Sequence, residues 1–179
     1  MNHTQQLFHA LEFAAHKHRF QRRKGYDSIP YINHPIKVST LLADCDIDDI
    51  TTLTAAILHD TLEDTDSTEA EIASLFGTEV CRIVVEMTDN MDLPSEQRKL
   101  LQIEKADKLD ARTKLIKIAD KASNIQDIAT LPLDWTPQRK IAYLHWASKV
   151  VAKCRGANQV LDTQFDKAFN DGMLKLTNL

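Results

Sequence analysis

The amino-acid sequence predicts an all-α fold, a compact bundle of about eight or more helices. Its 179 residues include only four glycines and five prolines, so the chain lacks the turn residues that a sheet of many strands requires. Apolar residues recur at intervals of three and four along most of the chain, which is typical of amphipathic helices packed on a common core. At 43% hydrophobic and 27% charged residues, the composition favours a folded globular protein over a disordered one.

The first predicted helix covers residues 4–20, where apolar side chains form one stripe and Thr4 is the expected start. An ordered loop is expected next, because glycine and proline interrupt any helix as far as Pro35. Four of the residues from 19 to 24 in this loop are basic.

The second predicted helix covers residues 36–45, which places His34 at its entrance. Asp46, with Asp49 three residues on, is the expected cap of a third helix over residues 47–62. This third segment is almost continuous in alanine, isoleucine and leucine until it reaches a polar cluster. A buried helix is therefore expected to end in polar side chains.

The rest of the chain shows the same pattern. Thr68 is the expected cap of a helix through the segment EIASLF, and Gly77 its expected end. Further helices are expected over residues 78–88, 111–129, 138–154 and 158–170. The charged segment 88–112 is expected to contain a mobile loop region.

One domain over residues 1–179 is the expected organisation, because the helical pattern resumes beyond that charged segment. With 22 basic and 26 acidic residues and a net charge of −4, the chain has no general attraction for nucleic acid or an anionic membrane. No apolar run approaches membrane-spanning length. Three widely spaced cysteines suggest reduced thiols, and a cytoplasmic location is the expectation. The oligomeric state is not predicted.

Chemistry is expected at three points along the chain. His59 and Asp60 end the apolar third segment, His34 precedes them on a proline-bounded turn, and Asp120 follows inside an otherwise apolar helix. Taken alone, a His-Asp pair is more often a core histidine satisfied by a carboxylate, and Lys117 and Lys121 are basic residues that could pair with Asp120. Imidazole and carboxylate together suit Mn²⁺ or another divalent transition metal better than Ca²⁺.

The order of these residues, H…HD…D, resembles the signature of the HD superfamily of metal-dependent phosphohydrolases. The segments HKHRFQRRKGYDSIPYINHP, AAILHDTLEDT and LIKIADKASNI are similar to three successive blocks of the hydrolase domain of the Rel/Spo alarmone enzymes. The tail TPQRKIAYLHWASKVVAKCRGANQ is similar to that of the free-standing small alarmone hydrolases, the metazoan SpoT homologue among them. This resemblance implies a single HD-type domain that removes the 3′-pyrophosphate of guanosine tetra- and pentaphosphate (ppGpp and pppGpp), typically with Mn²⁺.

The resemblance also implies roles for individual residues. The metal ligands of the family match four positions: His34, His59, Asp60 and Asp120. Its catalytic acidic pair matches Glu63 and Asp64, which lie one helical turn beyond His59 and Asp60 and so continue the face that holds the metal. Residues that match positions near the substrate are Arg23, Lys24, Asn124, Arg139 and Tyr143.

The sequence leaves the substrate open. Ala122 and Ser123 stand where relatives usually carry two larger side chains, which is expected to enlarge the pocket. The same metal site could therefore act on an adenine alarmone, (p)ppApp, or on the phosphate of NADPH. A protein that binds alarmone without hydrolysing it is a further alternative, which the intact Glu63 and Asp64 disfavour.

Overall fold

The all-α prediction is confirmed. A computed structural model describes residues 2–25 and 29–178, and in these ranges it contains ten α-helices, one 3-10 turn and no strand. The helices are α1 (His3–Lys17), α2 (Asn33–Asp44), α3 (Ile50–Leu58), α4 (Thr61–Asp64), α5 (Glu69–Phe76), α6 (Thr78–Met87), α7 (Ser95–Lys105), α8 (Ala111–Thr130), α9 (Pro137–Ala152) and α10 (Gln159–Thr177).

Six of the ten described helices begin after a side chain that accepts a hydrogen bond from the first turn. Asn2, rather than Thr4, caps α1, because its side chain accepts from the backbone N–H of Gln5. Thr68 caps α5 as predicted.

The cap of α3 differs from the prediction. Asp49 accepts from the backbone N–H of Thr52, whereas Asp46 has a φ of 60° in the tight turn that follows α2. Asp46 therefore belongs to the turn that ends α2, and α3 starts three residues later than expected.

Helix α8 forms the centre of the bundle and packs against α2, α3, α6, α9 and α10. Its buried isoleucines, Ile116, Ile118 and Ile125, occupy the core that these helices share. Because α8 also carries Asp120, this central helix presents a carboxylate to its neighbours.

Helix α10 is longer than predicted and continues to Thr177. Gly172 does not end it. A Cβ atom at Gly172 would lie 3.1 Å from Leu144 Cδ2 and 3.2 Å from Ile125 Cγ2, so this glycine lets α10 approach α8 and α9 closely.

The connection between α1 and α2 makes specific contacts in its described parts. Arg22 pairs with Pro30 in an isolated antiparallel bridge. Gly25 has a φ of 83°, and a Cβ atom there would overlap Leu133 Cδ2 and lie 3.0 Å from the Cα atom of Leu133. Glycine is therefore required for the loop to pass over Leu133. Residues 26–28 of this predicted loop lie outside the described residues.

The charged segment 88–112 contains more regular structure than expected. Residues 95–105 form α7, which buries none of its own residues, and the 3-10 turn Ala106–Lys108 follows. Trp146 of α9 donates a hydrogen bond to the carbonyl oxygen of Lys99, at 3.0 Å, and so attaches α7 to the bundle. The mobility of this segment stays a prediction. Within the described ranges, no helix is long and apolar enough to cross a membrane.

Candidate metal centre and active site

Three of the predicted ligands converge in the interior of the bundle. His34 comes from the first turn of α2, His59 follows α3, and Asp120 lies in the middle of α8. One ligand atom from each lies within 4.8 Å of the others, and all three residues are buried. Residues far apart in sequence thus offer two imidazole nitrogens and a carboxylate oxygen to one point.

The chain presents His59 and Asp60 at a break between two helices. A continuous helix over residues 47–62 was expected, but α3 ends at Leu58 and α4 begins at Thr61. The hydroxyl of Thr61 donates to the carbonyl oxygen of Leu58, at 2.6 Å, and satisfies a group that the ended helix leaves free. The break allows adjacent side chains to reach the same centre, which an unbroken helix would direct about 100° apart.

Hydrogen bonds on the far side of each ring fix which imidazole nitrogen faces the centre. His59 Nδ1 lies 2.7 Å from the carbonyl oxygen of Ala56, so this nitrogen donates. His34 Nδ1 lies 3.2 Å from Ser123 Oγ, and its Nε2 lies 3.1 Å from Asp120 Oδ1. Both rings therefore direct Nε2 inwards, as ligating histidines do when a second group holds Nδ1.

The fourth predicted ligand, Asp60, lies at the edge of this group. Its Oδ2 atom is 3.0 Å from His59 Nε2 and 3.7 Å from His34 Nε2. The hydroxyl of Tyr31 donates to the same oxygen, at 2.7 Å. Burial, followed by the charge of Asp60, raises the pKa of Tyr31, so the hydroxyl keeps its proton and remains a donor. Sequence reasoning missed Tyr31, although it stands three residues before His34 in the segment PYINHP.

The electrostatics of the centre call for a positive charge. Burial lowers the pKa of His34. Burial also acts to lower the pKa of His59, but the carboxylates of Asp60 and Asp120 outweigh it and raise this pKa to about 9. The carboxylates thus draw a proton onto His59, in the place where a cation would balance the same charge.

A divalent cation fits these atoms. His59 Nε2 is buried and has no partner with hydrogen-bond geometry among the described residues, and such an atom is costly unless something binds it. The mixed nitrogen and oxygen donors are those of divalent transition-metal sites. The structure therefore supports the prediction of a divalent metal site.

Two neighbours along α8 hold Asp120. Lys121 Nζ lies 3.0 Å from Asp120 Oδ2, and Asn124 Nδ2 donates to Oδ1 at 2.6 Å. Lys117, offered by the sequence as a basic partner, is buried and instead donates to the carbonyl oxygen of Met87, at 3.4 Å. Asp120 Oδ2 is thus paired with the charge of Lys121, while Oδ1 accepts from Asn124 and faces His34 Nε2.

The predicted acidic pair lies beside the centre. Glu63 and Asp64 both line the cavity described below. Glu63 is half-buried and accepts the backbone N–H of Asp89, at 2.9 Å. Burial raises its pKa, against the opposing effect of that hydrogen bond. Asp64 is exposed, and Gln21 Nε2 donates to its Oδ2 at 2.9 Å.

A cavity of about 320 Å³ opens over this group and contains most of the predicted substrate-binding residues. Arg23, Lys24, Asn124 and Tyr143 all line it. Arg23 is held in place, because its guanidinium donates to Asn124 Oδ1 at 2.8 Å and to Asp127 Oδ2 at 2.7 Å.

Arg139 is the exception among these residues. It is exposed, and in the described part of the chain it is not among the residues that line the cavity. Its guanidinium lies over the ring of Trp135, 4.2 Å from the ring centre. Trp135 does line the cavity, so Arg139 supports the wall from outside.

The expectation for Ala122 and Ser123 also changes. Both are fully buried, and neither belongs to the described residues that line the cavity. Their small size therefore affects the packing beneath the site, where Ser123 contacts His34, and does not widen the cavity itself.

The cavity has two chemically different ends. Carboxylates, histidines and cations surround the buried centre, whereas a largely apolar wall follows the end of α8 and the connection to α9. The members of this apolar wall are Ile128, Leu131, Leu133 and Trp135. A ligand that fits both ends carries several negative charges at one end and a flat or apolar group at the other.

Comparisons with known proteins agree with this architecture. A model of the HD domain matches residues 10–145. The chain is 47% identical over 161 residues to guanosine-3′,5′-bis(diphosphate) 3′-pyrophosphohydrolase MESH1 of Drosophila melanogaster, covering 89% of this chain and 90% of the fly protein. The protein of the same name from Mus musculus is 44% identical over 173 residues, covering 96% of this chain and 97% of the mouse protein.

A solved structure described as "A metazoan ortholog of SpoT hydrolyzes ppGpp and plays a role in starvation responses" matches with a TM-score of 0.88 at 45% identity. The match covers 92% of this chain and 94% of that chain. Sequence and fold thus agree over nearly the whole length of each relative. The chain belongs to the HD-domain family, among the small alarmone hydrolases that its motifs resemble.

Proposed function

We propose that this chain hydrolyses the 3′-pyrophosphate of ppGpp and pppGpp. Water adds to the phosphorus that is bonded to the 3′ oxygen, and the bond between this phosphorus and the 3′ oxygen breaks. The products are pyrophosphate and GDP from ppGpp, or pyrophosphate and GTP from pppGpp. The observation that carries the proposal is the convergence of two imidazole Nε2 atoms and a buried carboxylate below a cavity that Glu63 and Asp64 line. Relatives that cover the chain nearly end to end bear the name of this activity.

The residues that would hold the metal are His34, His59, Asp60 and Asp120. A divalent ion held there would lower the pKa of a bound water and polarise phosphoryl oxygens. We propose Mn²⁺, because nitrogen and oxygen donors without cysteine suit it, although Fe²⁺, Zn²⁺ and Ni²⁺ share this preference.

We assign proton transfer to Glu63. A half-buried carboxyl whose pKa is raised accepts a proton more readily than an exposed one. The backbone N–H of Asp89 occupies Glu63 Oε2, which leaves Oε1 for the attacking water. Asp64, the next residue, orients that water from the exposed side of the cavity.

We assign Arg23 and Lys24 to the phosphates. The chain carries a net charge of −4, so a highly anionic substrate needs local cations rather than general attraction. Both residues line the cavity near the metal centre, and guanidinium groups bind phosphate with paired hydrogen bonds. The nucleobase then lies against the apolar wall.

Asn124 and Tyr143 complete the assignment. The Asn124 amide donates to Asp120 and accepts from Arg23, so it links a metal ligand to a phosphate contact. Burial raises the pKa of Tyr143 to about 12, which keeps its hydroxyl neutral and available to donate to the substrate. Arg139 is assigned to support Trp135 and not to contact the nucleotide.

Release of phosphate or pyrophosphate from three nucleotides tests the proposal. The purified chain is treated with chelator, given Mn²⁺, and incubated with ppGpp, ppApp or NADPH. We expect pyrophosphate from ppGpp. Release of phosphate from NADPH, with no pyrophosphate from ppGpp, would mean that the same site acts on a different substrate. Tight binding of ppGpp with no product from any of the three nucleotides would mean that the protein is a sensor.

Two variants separate the chemistry from the fold. Glu63→Gln preserves shape but not charge, so it should keep Mn²⁺ and lose most of the turnover. Lys167→Ala removes an exposed charge on α10 that is not among the described residues lining the cavity, and it should leave turnover unchanged. Near-normal turnover in Glu63→Gln would disprove the assignment of Glu63.

We also propose that the protein works in the cytoplasm. Its three cysteines, Cys45, Cys81 and Cys154, are buried and unpaired, as is usual in a reducing compartment. Cell fractionation with an antibody to the chain tests this location.

A further inference from the structure

A chain of side-chain hydrogen bonds leads from the interior to the exposed carboxylate Asp64. His18 Nδ1 lies 2.6 Å from Gln21 Oε1, and Gln21 Nε2 donates to Asp64 Oδ2 at 2.9 Å. His18 and Gln21 belong to the connection between α1 and α2, whereas Asp64 is the last residue of α4. The sequence motifs assigned no role to either His18 or Gln21.

The direction of every bond in this chain is determined by chemistry. An ionised carboxylate can only accept, so the amide nitrogen of Gln21 must face Asp64. Its amide oxygen must then face His18, and His18 must carry a proton on Nδ1. If the amide turned over, its oxygen would face the carboxylate and its nitrogen would face the proton on His18. The two neighbours therefore allow one orientation of Gln21.

The backbone holds Gln21 as firmly as its side chain is held. Its N–H donates to the carbonyl oxygen of His18 at 2.9 Å, and its own carbonyl oxygen accepts from the N–H of Tyr31 at 3.1 Å. His18 is only 1% exposed, and its ring lies 4.9 Å from the ring of Tyr31. Because all the polar groups of Gln21 are engaged, it is a fixed donor.

Asp64 needs such a donor. It is exposed and ends a helix of four residues, so without a hydrogen-bond donor its carboxylate would rotate freely in solvent. Among the described residues, Gln21 provides the side-chain hydrogen bond that restrains it. A reacting group held in one orientation avoids the entropy of ordering it at each turnover.

We propose that Gln21 is a positioning residue for Asp64, and that His18 fixes the orientation of the Gln21 amide. The inference rests on the proposed function, because restraining Asp64 matters only if Asp64 takes part in hydrolysis. Gln21 acts through Asp64, so its effect belongs to the rate of the chemical step and not to the binding of metal or substrate.

Two replacements of Gln21 test the proposal. Gln21→Met keeps the length of the side chain without a donor, and Gln21→Glu keeps its shape but presents only acceptors at neutral pH. Each should lower kcat by about 10- to 100-fold, the effect expected for loss of a hydrogen bond to a charged group. KM and the affinity for Mn²⁺, measured by titration after chelation, should change by less than about twofold.

A double-variant cycle shows whether Gln21 acts through Asp64. In an Asp64→Ala background, Gln21→Met should cause no further loss of kcat. His18→Asn offers an amide N–H near the place of Nδ1 and should retain most of the rate, whereas His18→Leu should lose it. Thermal melts of all variants identify any that fail to fold, and rescue by His18→Asn separates orientation of the amide from packing.

The rates are measured on whichever of ppGpp, ppApp and NADPH the unaltered chain hydrolyses. A different substrate would refute the proposed function and leave the test of Gln21 intact. Unchanged kcat in Gln21→Met would overturn the inference. So would a loss that persists in the Asp64→Ala background, or an increase in KM alone, because either result would give Gln21 a direct contact with substrate.

Discussion

Replacing Arg23 with alanine should destabilise the fold as well as weaken substrate binding. The basic run at residues 19–24 has the pattern of a solvated loop, in which a single charge can be removed with little effect on stability. The structure changes that expectation for Arg23, whose side chain is only 14% exposed. The neighbouring Lys24 is exposed and provides a matched control within the same loop.

The size of the effect follows from two contacts. The guanidinium of Arg23 donates to Asn124 and Asp127 at 2.8 and 2.7 Å, and hydrogen bonds that involve a charged group contribute about 1.5 to 3 kcal/mol each. Asp127 would keep its ion pair with Lys37, at 2.9 Å, so the loss is smaller than the sum of both. We expect the free energy of unfolding to fall by about 2 to 3 kcal/mol.

The assay is urea unfolding and thermal melting of Arg23→Ala and Lys24→Ala beside the unaltered chain. For a chain of this size the expected loss lowers Tm by about 4 to 12 °C, whereas Lys24→Ala should remain within about 0.5 kcal/mol. Both variants should raise KM. Equal stability of the two variants would refute the reasoning, since it would mean that the hydrogen bonds from Arg23 to Asn124 and Asp127 of α8 contribute nothing to the stability of the fold.

Three further results are expected. Tyr31→Phe removes the hydroxyl that holds Asp60, so the affinity for Mn²⁺, measured by titration, should fall at least about tenfold; an unchanged affinity would exclude this role. Asp49→Ala removes the cap of α3 and should lower stability by about 1 kcal/mol at pH 7. Because the Thr52 hydrogen bonds outweigh burial and hold the pKa of Asp49 below its usual value, the stabilisation exists above about pH 4 and is lost as the pH falls through the folded pKa. In urea titrations the two chains should therefore converge in acid, and a constant gap would contradict the cap. Gly25→Ala should destabilise by more than Gly77→Ala, since both glycines have positive φ but only Gly25 would bring a Cβ atom against Leu133; equal melting temperatures would show that the loop yields.

The sequence predicted the parts of the fold that depend on local patterns. Periodic apolar residues gave the helices, and caps such as Thr68 gave some of their starts within a residue. The break at His59 could not be predicted, because AAILHDTLED favours helix throughout. That break depends on the hydrogen bond from Thr61 to Leu58 and on the buried centre, and both form only when the chain folds.

The candidate site shows the same division. His34, His59 and Asp120 could be selected because polar residues are unusual in apolar surroundings and match a known motif. The groups that orient them could not, because Tyr31 and Ser123 resemble ordinary core and turn residues in sequence. Arg139 differs from these residues, since its position along the chain indicated the nucleotide, whereas its guanidinium lies over Trp135 at the outside of the cavity wall.

The contacts that build the centre join distant parts of the chain. Arg23 and Asp127 are 104 residues apart, and His34 and Asp120 are 86 residues apart. Closing such long loops is slow and entropically unfavourable until many other contacts have formed. During synthesis the first helices, with two of the histidines, leave the ribosome well before α8 is made. The growing chain therefore has no metal centre to fill and no means of attacking a nucleotide until its last third has emerged and docked.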